Sequence, residues 1–204
     1  MIKVLMIFLM IVSLEVQSAE FKVVDKTISM TGTIESGDER KLFLLLIDNE
    51  GIDKIVIDST GGLFIESKNM AKLIRLFKLD TEVQAGKEAI SGGAIMLFSG
   101  KVVTVSMTAD VGLHAPYFKD REEFNDSVKT WIETEKEEPD YFALNRDGAE
   151  MVSEYIVTML ELTSVPPSII LKSAIHVDGG LYNLSLADYG SFKNVYLNKE
   201  KEDE

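Results

Sequence analysis

Three segments between residues 55 and 116 decide the fold of this chain. They read Ile-Val-Ile-Asp-Ser-Thr-Gly-Gly at 55–62, Ala-Ile-Ser-Gly-Gly-Ala at 89–94, and Val-Gly-Leu-His-Ala-Pro at 111–116. The first and third segments are β-like apolar runs, and the second leads into the apolar run of a helix. Glycine pairs let the backbone come close to a ligand, so the same segments also bear on function.

The residue types in these segments suit acyl-transfer chemistry. Ser91 precedes an apolar helix predicted at 92–98, and His114 ends a predicted strand. A serine hydroxyl is a weak nucleophile until a base takes its proton, and backbone N–H groups stabilise the oxyanion that then forms. The segments therefore predict a serine hydrolase. Taken singly, Ser91 is more typical of a helix N-cap, His114 of a core residue, and Gly61-Gly62 of a turn.

The hydrophobic pattern of the rest of the chain alternates strands with helices. This alternation predicts parallel βαβ units and an α/β fold. Strands are predicted at 21–24, 27–33, 54–58, 81–85, 101–106, 111–114 and 194–197, and helices at 41–49, 66–77, 92–98, 148–163 and 168–173.

The first nineteen residues have the pattern of a secretory signal peptide. Lys3 gives a positive start, residues 4–14 are almost wholly apolar, and Val16-Gln17-Ser18-Ala19 supplies small residues for cleavage after Ser18 or Ala19. The apolar run is too short for a comfortable membrane span, and no later run is long enough. The pattern predicts a periplasmic or secreted protein without a stable membrane span after signal removal. A buried first strand or an uncleaved anchor is the alternative.

Length and composition predict one globular domain at 20–204. The chain has 204 residues, 46% of them hydrophobic, and a net charge of −13, which argues against nucleic acid as a partner. The absence of cysteine excludes disulfides, a thiol nucleophile and a lipid anchor on cysteine. A charged segment at 117–147 stands apart as an insertion in this domain.

The order of the three segments resembles the ClpP/crotonase superfamily, and within it the Clp-protease-like serine peptidases. In both, a Gly-Gly loop follows a strand, Ser-Gly-Gly-Ala opens a buried helix, and a strand leads into Gly-x-His-x-Pro. Residues 184–190 resemble the family's closing segment, whereas 117–147 departs from its usual handle region. The resemblance implies a ClpP/crotonase-like spiral of βαβ units and a homo-oligomeric hydrolase of peptide bonds that needs no cofactor or metal.

The resemblance also assigns roles to five residues. Ser91 would be the nucleophile, His114 the general base and Asp178 the acid that orients the histidine. The backbone N–H groups of Gly62 and Gly92 would form the oxyanion hole, which fits the positive end of a helix dipole at that position. Asp178 is the weakest assignment, because Asp-Gly-Gly is also an ordinary turn sequence.

Other interpretations remain open at this stage. His176 and Asp178 could hold a metal ion, although two ligands do not make a site. Lys87 or Lys101 could serve as base in a Ser–Lys dyad. The chain could also be a non-catalytic scaffold that binds partners through residues 117–147, or an acyl-CoA enzyme of the crotonase type.

Overall fold

Two β-sheets with helices packed on them form the described part of the chain. The computed structural model describes residues 18–116, 141–175 and 180–198, and of 141–148 only the backbone. The predicted signal peptide therefore lies almost entirely outside the described residues, as do most of the charged segment and the pair His176 and Asp178.

The larger sheet has six strands in the order β1-β2-β3-β4-β6-β9. Strands β1 and β2 form an antiparallel hairpin, and every later neighbour is parallel. Alternation buries Ile28 and Met30 of β2 beside Ile55 and Ile57 of β3, which explains why these runs form strands. The bounds are β1 Glu20–Val24, β2 Thr27–Thr31, β3 Lys54–Asp58, β4 Asp80–Val83, β6 Val103–Ser106 and β9 Val195–Asn198.

A smaller sheet of three strands, in the order β5-β7-β8, adjoins the end of β3. It consists of β5 Glu88–Ile90, β7 Asp110–Leu113 and β8 Tyr182–Asn183. Ser59, directly after β3, pairs with Ala89 of β5: its N–H donates to Glu88 at 2.8 Å, and its carbonyl accepts from Ile90 at 2.9 Å. The backbone of Ser59 thus joins the two sheets.

Helix α3 lies at the centre of the molecule, because each of its seven residues is buried. Helix α4 turns Tyr155 and Met159 into the core, and the Tyr155 hydroxyl bonds Ser173 of α5 at 2.7 Å, which ties these two helices together. The helix bounds are α1 Asp38–Asp48, α2 Phe64–Leu76, α3 Gly92–Phe98, α4 Tyr141–Leu162, α5 Pro167–Ala174 and α6 Leu186–Tyr189.

Most predicted elements match, with three differences. Strands β5 and β8 were not predicted, because runs of three and two residues carry too little periodicity. Helix α4 begins at Tyr141, within the segment 117–147 that its charge had set apart. Tyr155 and Met159 of α4 pack inside their own chain, whereas Val157 and Leu160 are exposed.

Within residues 18–116, 141–175 and 180–198, no helix is long and apolar enough to cross a membrane.

Candidate active site

Parallel pairing of β5 with β7 brings Ser91 and His114 to the same edge of the smaller sheet. Ile90 lies opposite Gly112, and the Ser91 N–H donates to the Gly112 carbonyl at 2.8 Å. Ser91 follows the end of β5 and His114 follows the end of β7. Because the carboxyl ends of parallel strands meet at one edge, the two side chains reach the same cavity.

Ser91 stands at a sharp turn between β5 and α3, with φ 53° and ψ −116°. Such a conformation is strained for a residue with a Cβ and costs on the order of 1–3 kcal/mol. An N-cap serine has an extended backbone and accepts a hydrogen bond from the first helical turn, but Ser91 has neither feature. Its carbonyl accepts from Ala94 and Ile95, as the carbonyl at an N-cap position does. Ser91 therefore occupies the N-cap position without capping the helix through its side chain, which leaves the hydroxyl on a strand–turn–helix corner.

His114 has the tautomer that a general base requires. Its Nδ1 lies 2.7 Å from the carbonyl oxygen of Ala115. A carbonyl only accepts, so Nδ1 carries the hydrogen, and the neutral ring keeps a lone pair on Nε2. Burial of the ring lowers the pKa of His114 below its usual value, and this effect outweighs the opposing hydrogen bond to Ala115. The imidazole is therefore neutral, and able to accept a proton, at neutral pH.

The loop at Gly61 and Gly62 is fixed by backbone bonds to Ile34. The Ile34 N–H donates to Gly61 at 2.7 Å, and the Leu63 N–H donates to Ile34 at 2.9 Å. In the parallel bridge between Ile34 and Gly62, both bonds to Ile34 are made by Gly61 and Leu63, so the N–H of Gly62 is turned away from Ile34. Gly62 lines the cavity beside Ser91. Its N–H is therefore available to a ligand there.

Gly61 fits directly against the serine turn. A Cβ on Gly61 would lie 2.7 Å from the Ile90 carbonyl oxygen and 2.7 Å from the Cβ of Ser91, and the glycine has φ +92°. Its N–H donates to the Ser59 hydroxyl at 3.1 Å, and that hydroxyl donates to the Gly32 carbonyl at 2.6 Å. Only glycine allows this close approach. The loop and the serine turn are thus packed as one unit.

Gly92 supplies the second predicted N–H. It is buried against Ser67 of α2 and lines the same cavity as Ser91. Within the described part of the chain, neither the Gly62 N–H nor the Gly92 N–H donates a hydrogen bond. Two backbone donors, a hydroxyl and a neutral imidazole thus surround one cavity.

The cavity has a volume of about 70 Å³ and a wall that is mainly apolar. Phe64, Ile95 and Pro116 form this wall, and the four predicted site residues complete the lining. A larger hollow of about 280 Å³ lies at the carboxyl ends of β4, β6 and β9, but its lining contains no histidine. The smaller cavity is therefore the candidate active site.

The lysine alternatives do not fit this site. Lys87 forms an ion pair with Asp58 at 2.8 Å, and the hydrogen bond and charge of that carboxylate raise the pKa of the lysine, which is the wrong direction for a base. Lys101 is exposed and bonds through its N–H to Leu79. Neither lysine lines the cavity that contains Ser91.

Asp178 and His176 lie outside the described residues, so the role of Asp178 stays a prediction. In the part of the chain that the structure describes, no three acidic or histidine side chains are grouped as a metal ion would need.

Sequence reasoning missed three residues that shape the site. The sequence prediction treated Gly61 only as part of a turn and gave Ser59 no role. It placed Phe64 before the helix predicted at 66–77, whereas α2 begins at Phe64. The signal for Gly61 was present, because two successive glycines after a buried strand offer two positions for close packing. Phe64 and Ser59 gave no local signal, since Phe64 meets Ser91 and His114 only at the cavity and the Ser59 hydroxyl donates to Gly32, 27 residues earlier.

No protein-family model matches the sequence, and no curated protein matches it either. Solved structures do. A ClpP1 variant from Listeria monocytogenes is 17% identical, with a TM-score of 0.55 over 85% of this chain and 92% of that one. A variant of a membrane-bound stomatin-specific protease is 12% identical, with a TM-score of 0.54 over 86% and 78% of the two chains.

The chain is also similar to an enoyl-CoA hydratase from Mycobacterium avium subsp. paratuberculosis K-10. That enzyme is 12% identical, with a TM-score of 0.50 over 90% of this chain and 69% of that one. These similarities show that the chain has a ClpP/crotonase-like fold, as the sequence motifs predicted. Identities this low show the fold alone.

Replacing Gly61 with alanine should disrupt the serine turn. The new Cβ meets Ile90 and Ser91, so Ser91 should react with a fluorophosphonate at least about tenfold more slowly, a change of about 1.4 kcal/mol. Gly37→Ala is the matched control, because Gly37 has φ +93° and nothing within 4 Å of its Cβ position. Both variants should lose stability in urea through their positive φ, Gly61→Ala more because of its clashes, and only folded Gly61→Ala should lose labelling. Equal labelling of the two variants would mean that Gly61 does not support the turn at Ser91.

The stability of the protein should depend on pH through His114. The pKa of His114 is lower in the folded chain, so the unfolded chain binds more protons. This contribution is complete above pH 6.5 and is lost as pH falls through the folded pKa. His114→Gln should therefore flatten the decline in the free energy of unfolding between pH 7.5 and 5. The difference in slope should be a fraction of the one-proton limit of about 1.4 kcal/mol per pH unit, because the ring is only partly buried. Parallel slopes would mean that His114 titrates normally.

Proposed function

We propose that this protein is an exported serine peptidase that hydrolyses a peptide bond through an acyl-enzyme. One observation carries the proposal. A strained serine and a half-buried histidine follow two paired strands and line one cavity with two backbone N–H donors. The chain shares its fold with a ClpP1 and with a stomatin-specific protease, so the peptidase reaction is proposed from the site and, by analogy, from these proteins.

In the proposed reaction His114 acts as general base and then as general acid. Nε2 takes the proton from the Ser91 hydroxyl while Oγ forms a bond to the carbonyl carbon of the peptide. The carbonyl oxygen becomes an oxyanion that accepts hydrogen bonds from the N–H groups of Gly62 and Gly92. His114 then protonates the leaving amine, and the C–N bond breaks. A water molecule, deprotonated by His114, hydrolyses the resulting ester and restores the serine.

Asp178 is proposed as the residue that stabilises the His114 imidazolium. The carbonyl of Ala115 already holds the hydrogen on Nδ1, but it carries no full charge to oppose the positive ring. A carboxylate would supply that charge. The role proposed for Asp178 is therefore mainly electrostatic, with the tautomer held in part by Ala115.

Location and assembly belong to the same proposal. The signal-like residues 1–19 support export to the periplasm or beyond. Hydrolysis by serine, histidine and backbone donors needs no cofactor or metal. We expect the protein to act on peptides or proteins as a homo-oligomer, and nucleic acid is a poor partner for a chain with a net charge of −13.

The apolar wall of the cavity suggests a preference among peptides. A side chain next to the cleaved bond would contact Phe64 and Ile95, which favour apolar groups. A volume of about 70 Å³ suits a small aliphatic group such as that of alanine or valine. We therefore propose substrates with a small aliphatic residue before the cleaved bond.

Fluorophosphonate labelling of the purified protein tests the proposed nucleophile. Wild-type protein should be labelled on Ser91, and Ser91→Ala should abolish labelling while the fold is kept, because one hydroxyl is removed. Ser36→Ala removes an exposed hydroxyl and is the matched control. Equal labelling of the Ser91 variant would place the nucleophile elsewhere. A wild-type protein that resists the reagent would support the rival function, a scaffold that keeps the fold without catalysis.

Asp178→Asn tests the third residue of the proposed triad, with peptide hydrolysis as the measurement. Turnover should fall by orders of magnitude with little loss of stability, because the imidazolium loses its counter-charge. Asp110→Asn makes the same change at an exposed position at the start of β7. Near-normal hydrolysis by Asp178→Asn would leave Ser91 and His114 as a dyad.

Phe64→Ala should allow larger residues before the cleaved bond. For a peptide with leucine there, kcat/KM relative to the alanine peptide should rise about tenfold or more, since the fit of one methylene group is worth about 1–3 kcal/mol. Phe43→Ala truncates a phenylalanine on α1, outside the cavity, and is the matched control. An unchanged ratio in Phe64→Ala would exclude Phe64 from substrate selection.

A further inference from the structure

The side chain of Asp38, the first residue of α1, is completely buried and accepts four hydrogen bonds. Oδ1 accepts from the Ser18 hydroxyl at 2.6 Å and from Lys41 Nζ at 2.9 Å. Oδ2 accepts from the N–H of Glu35 at 2.8 Å and from the N–H of Ala19 at 3.2 Å. Two of the four donors thus belong to the residues at which the signal peptide is predicted to be cut.

The structure distinguishes between the two predicted cleavage positions. Ala19 is 3% exposed and belongs to the hydrophobic core, whereas Ser18 is only half-buried. A cut after Ser18 removes the Ser18 bond to Asp38, whereas a cut after Ala19 removes that bond, the Ala19 bond and a core residue. Cleavage sites carry small residues one and three positions before the cut. A cut after Ser18 places Ser18 and Val16 there, whereas a cut after Ala19 places Gln17 at the outer position. Both arguments favour the cut after Ser18.

We propose that the signal peptide is removed between Ser18 and Ala19, and that the new amino group of Ala19 forms a buried ion pair with Asp38. A signal-cleaving peptidase would use one water molecule to break the C–N bond, leaving a carboxylate on Ser18 and an amine on Ala19. This amine is protonated at neutral pH, since an α-amino group has a pKa of about 7.7–8.0. The proposal rests on the export in the proposed function and is independent of the catalytic part.

The surroundings of Asp38 suit an ammonium group. The cation that Asp38 contacts, Lys41, has a side chain that is 50% exposed, whereas the Asp38 side chain has no exposure. In the full chain, burial by itself would raise the pKa of Asp38, but the bonds from Glu35, Ser18, Lys41 and Ala19 outweigh it and keep the carboxylate ionised. The proposed cut removes the Ser18 bond and leaves those from Glu35, Lys41 and Ala19. An ammonium at the position of the Ala19 nitrogen would replace a neutral donor with a charged one, and such bonds are roughly twice as strong.

The buried position also sets the order of events. Ser18 pairs with Thr33, and Ala19 is enclosed, so a peptidase cannot reach the bond between them in the folded chain. Cleavage must precede folding of this segment, as it would during export. The segment leads to the candidate site, because Glu35 bonds Asp38 and its neighbour Ile34 holds the loop of Gly62. The ion pair would therefore anchor the mature terminus beside Glu35, and the residue before Glu35, Ile34, holds that loop.

Sequencing of the exported protein, produced from the full-length gene, is the first test. The mature chain should begin at Ala19. A chain that begins at Glu20, or one that keeps Met1, would overturn the proposal. Fluorophosphonate labelling of Ser91 in the same sample tests the proposed peptidase separately. A wrong cleavage site can therefore be told apart from a missing nucleophile.

Amine reactivity is the second test. Under native conditions near neutral pH, the Ala19 amine should react with an acylating reagent at least about tenfold more slowly than in urea. Asp38→Asn should remove this protection, whereas Asp48→Asn, at an exposed position of the same helix, should keep it. Equal native and denatured rates in the wild type, or full protection in a folded Asp38→Asn protein, would overturn the ion pair. If Asp38→Asn does not fold, the comparison of native with urea-denatured wild-type protein still decides whether the Ala19 amine is protected.

Discussion

The candidate site depends on the parallel pairing of two short strands. Ile90 lies opposite Gly112, and the Ser91 N–H extends this ladder by one bond to the Gly112 carbonyl. A register shift by one residue would turn each side chain to the other face, so this pairing determines that Ser91 and His114 reach one cavity. The strain at Ser91 is tolerated because the ladder before it and helix α3 after it hold both sides of the turn.

A series of hydrogen bonds and packing contacts connects Ser91 and His114 to the amino-terminal part of the chain. Ser59 links β3 to β5, and Gly61 packs against Ser91 while its carbonyl accepts from Ile34. The next residue, Glu35, donates to the buried carboxylate of Asp38. The loop at Gly61 and Gly62 is therefore held from both sides by groups far from it in sequence. Such rigid support is what preorganised donors require, because donors that are already in place need no reorganisation during the reaction.

Much of this arrangement could be predicted from the order of three short motifs. Each has glycine, serine or histidine where a strand ends, and long apolar runs such as 54–58 and 92–98 form the predicted elements. Strand β5 could not be predicted, because its three residues follow the exposed Lys87 and begin with the polar Glu88. The start of α4 at Tyr141 was hidden for a related reason, since it lies in a stretch that was set apart by charge.

Sequence by itself predicted the α/β class and the alternation of strands and helices, and it offered Ser91 and His114 as candidates, because periodicity and residue chemistry are local properties. The roles of Gly62, Gly92 and Asp178 were predicted from the resemblance to the Clp-protease-like peptidases. Only the tertiary structure decided that Ser91 is strained instead of capping its helix, that Lys87 is held by Asp58, and that Ala19 is buried on Asp38. Each of these depends on contacts between residues that are distant along the chain. Such contacts exist only after the strands have paired, and no local pattern encodes them.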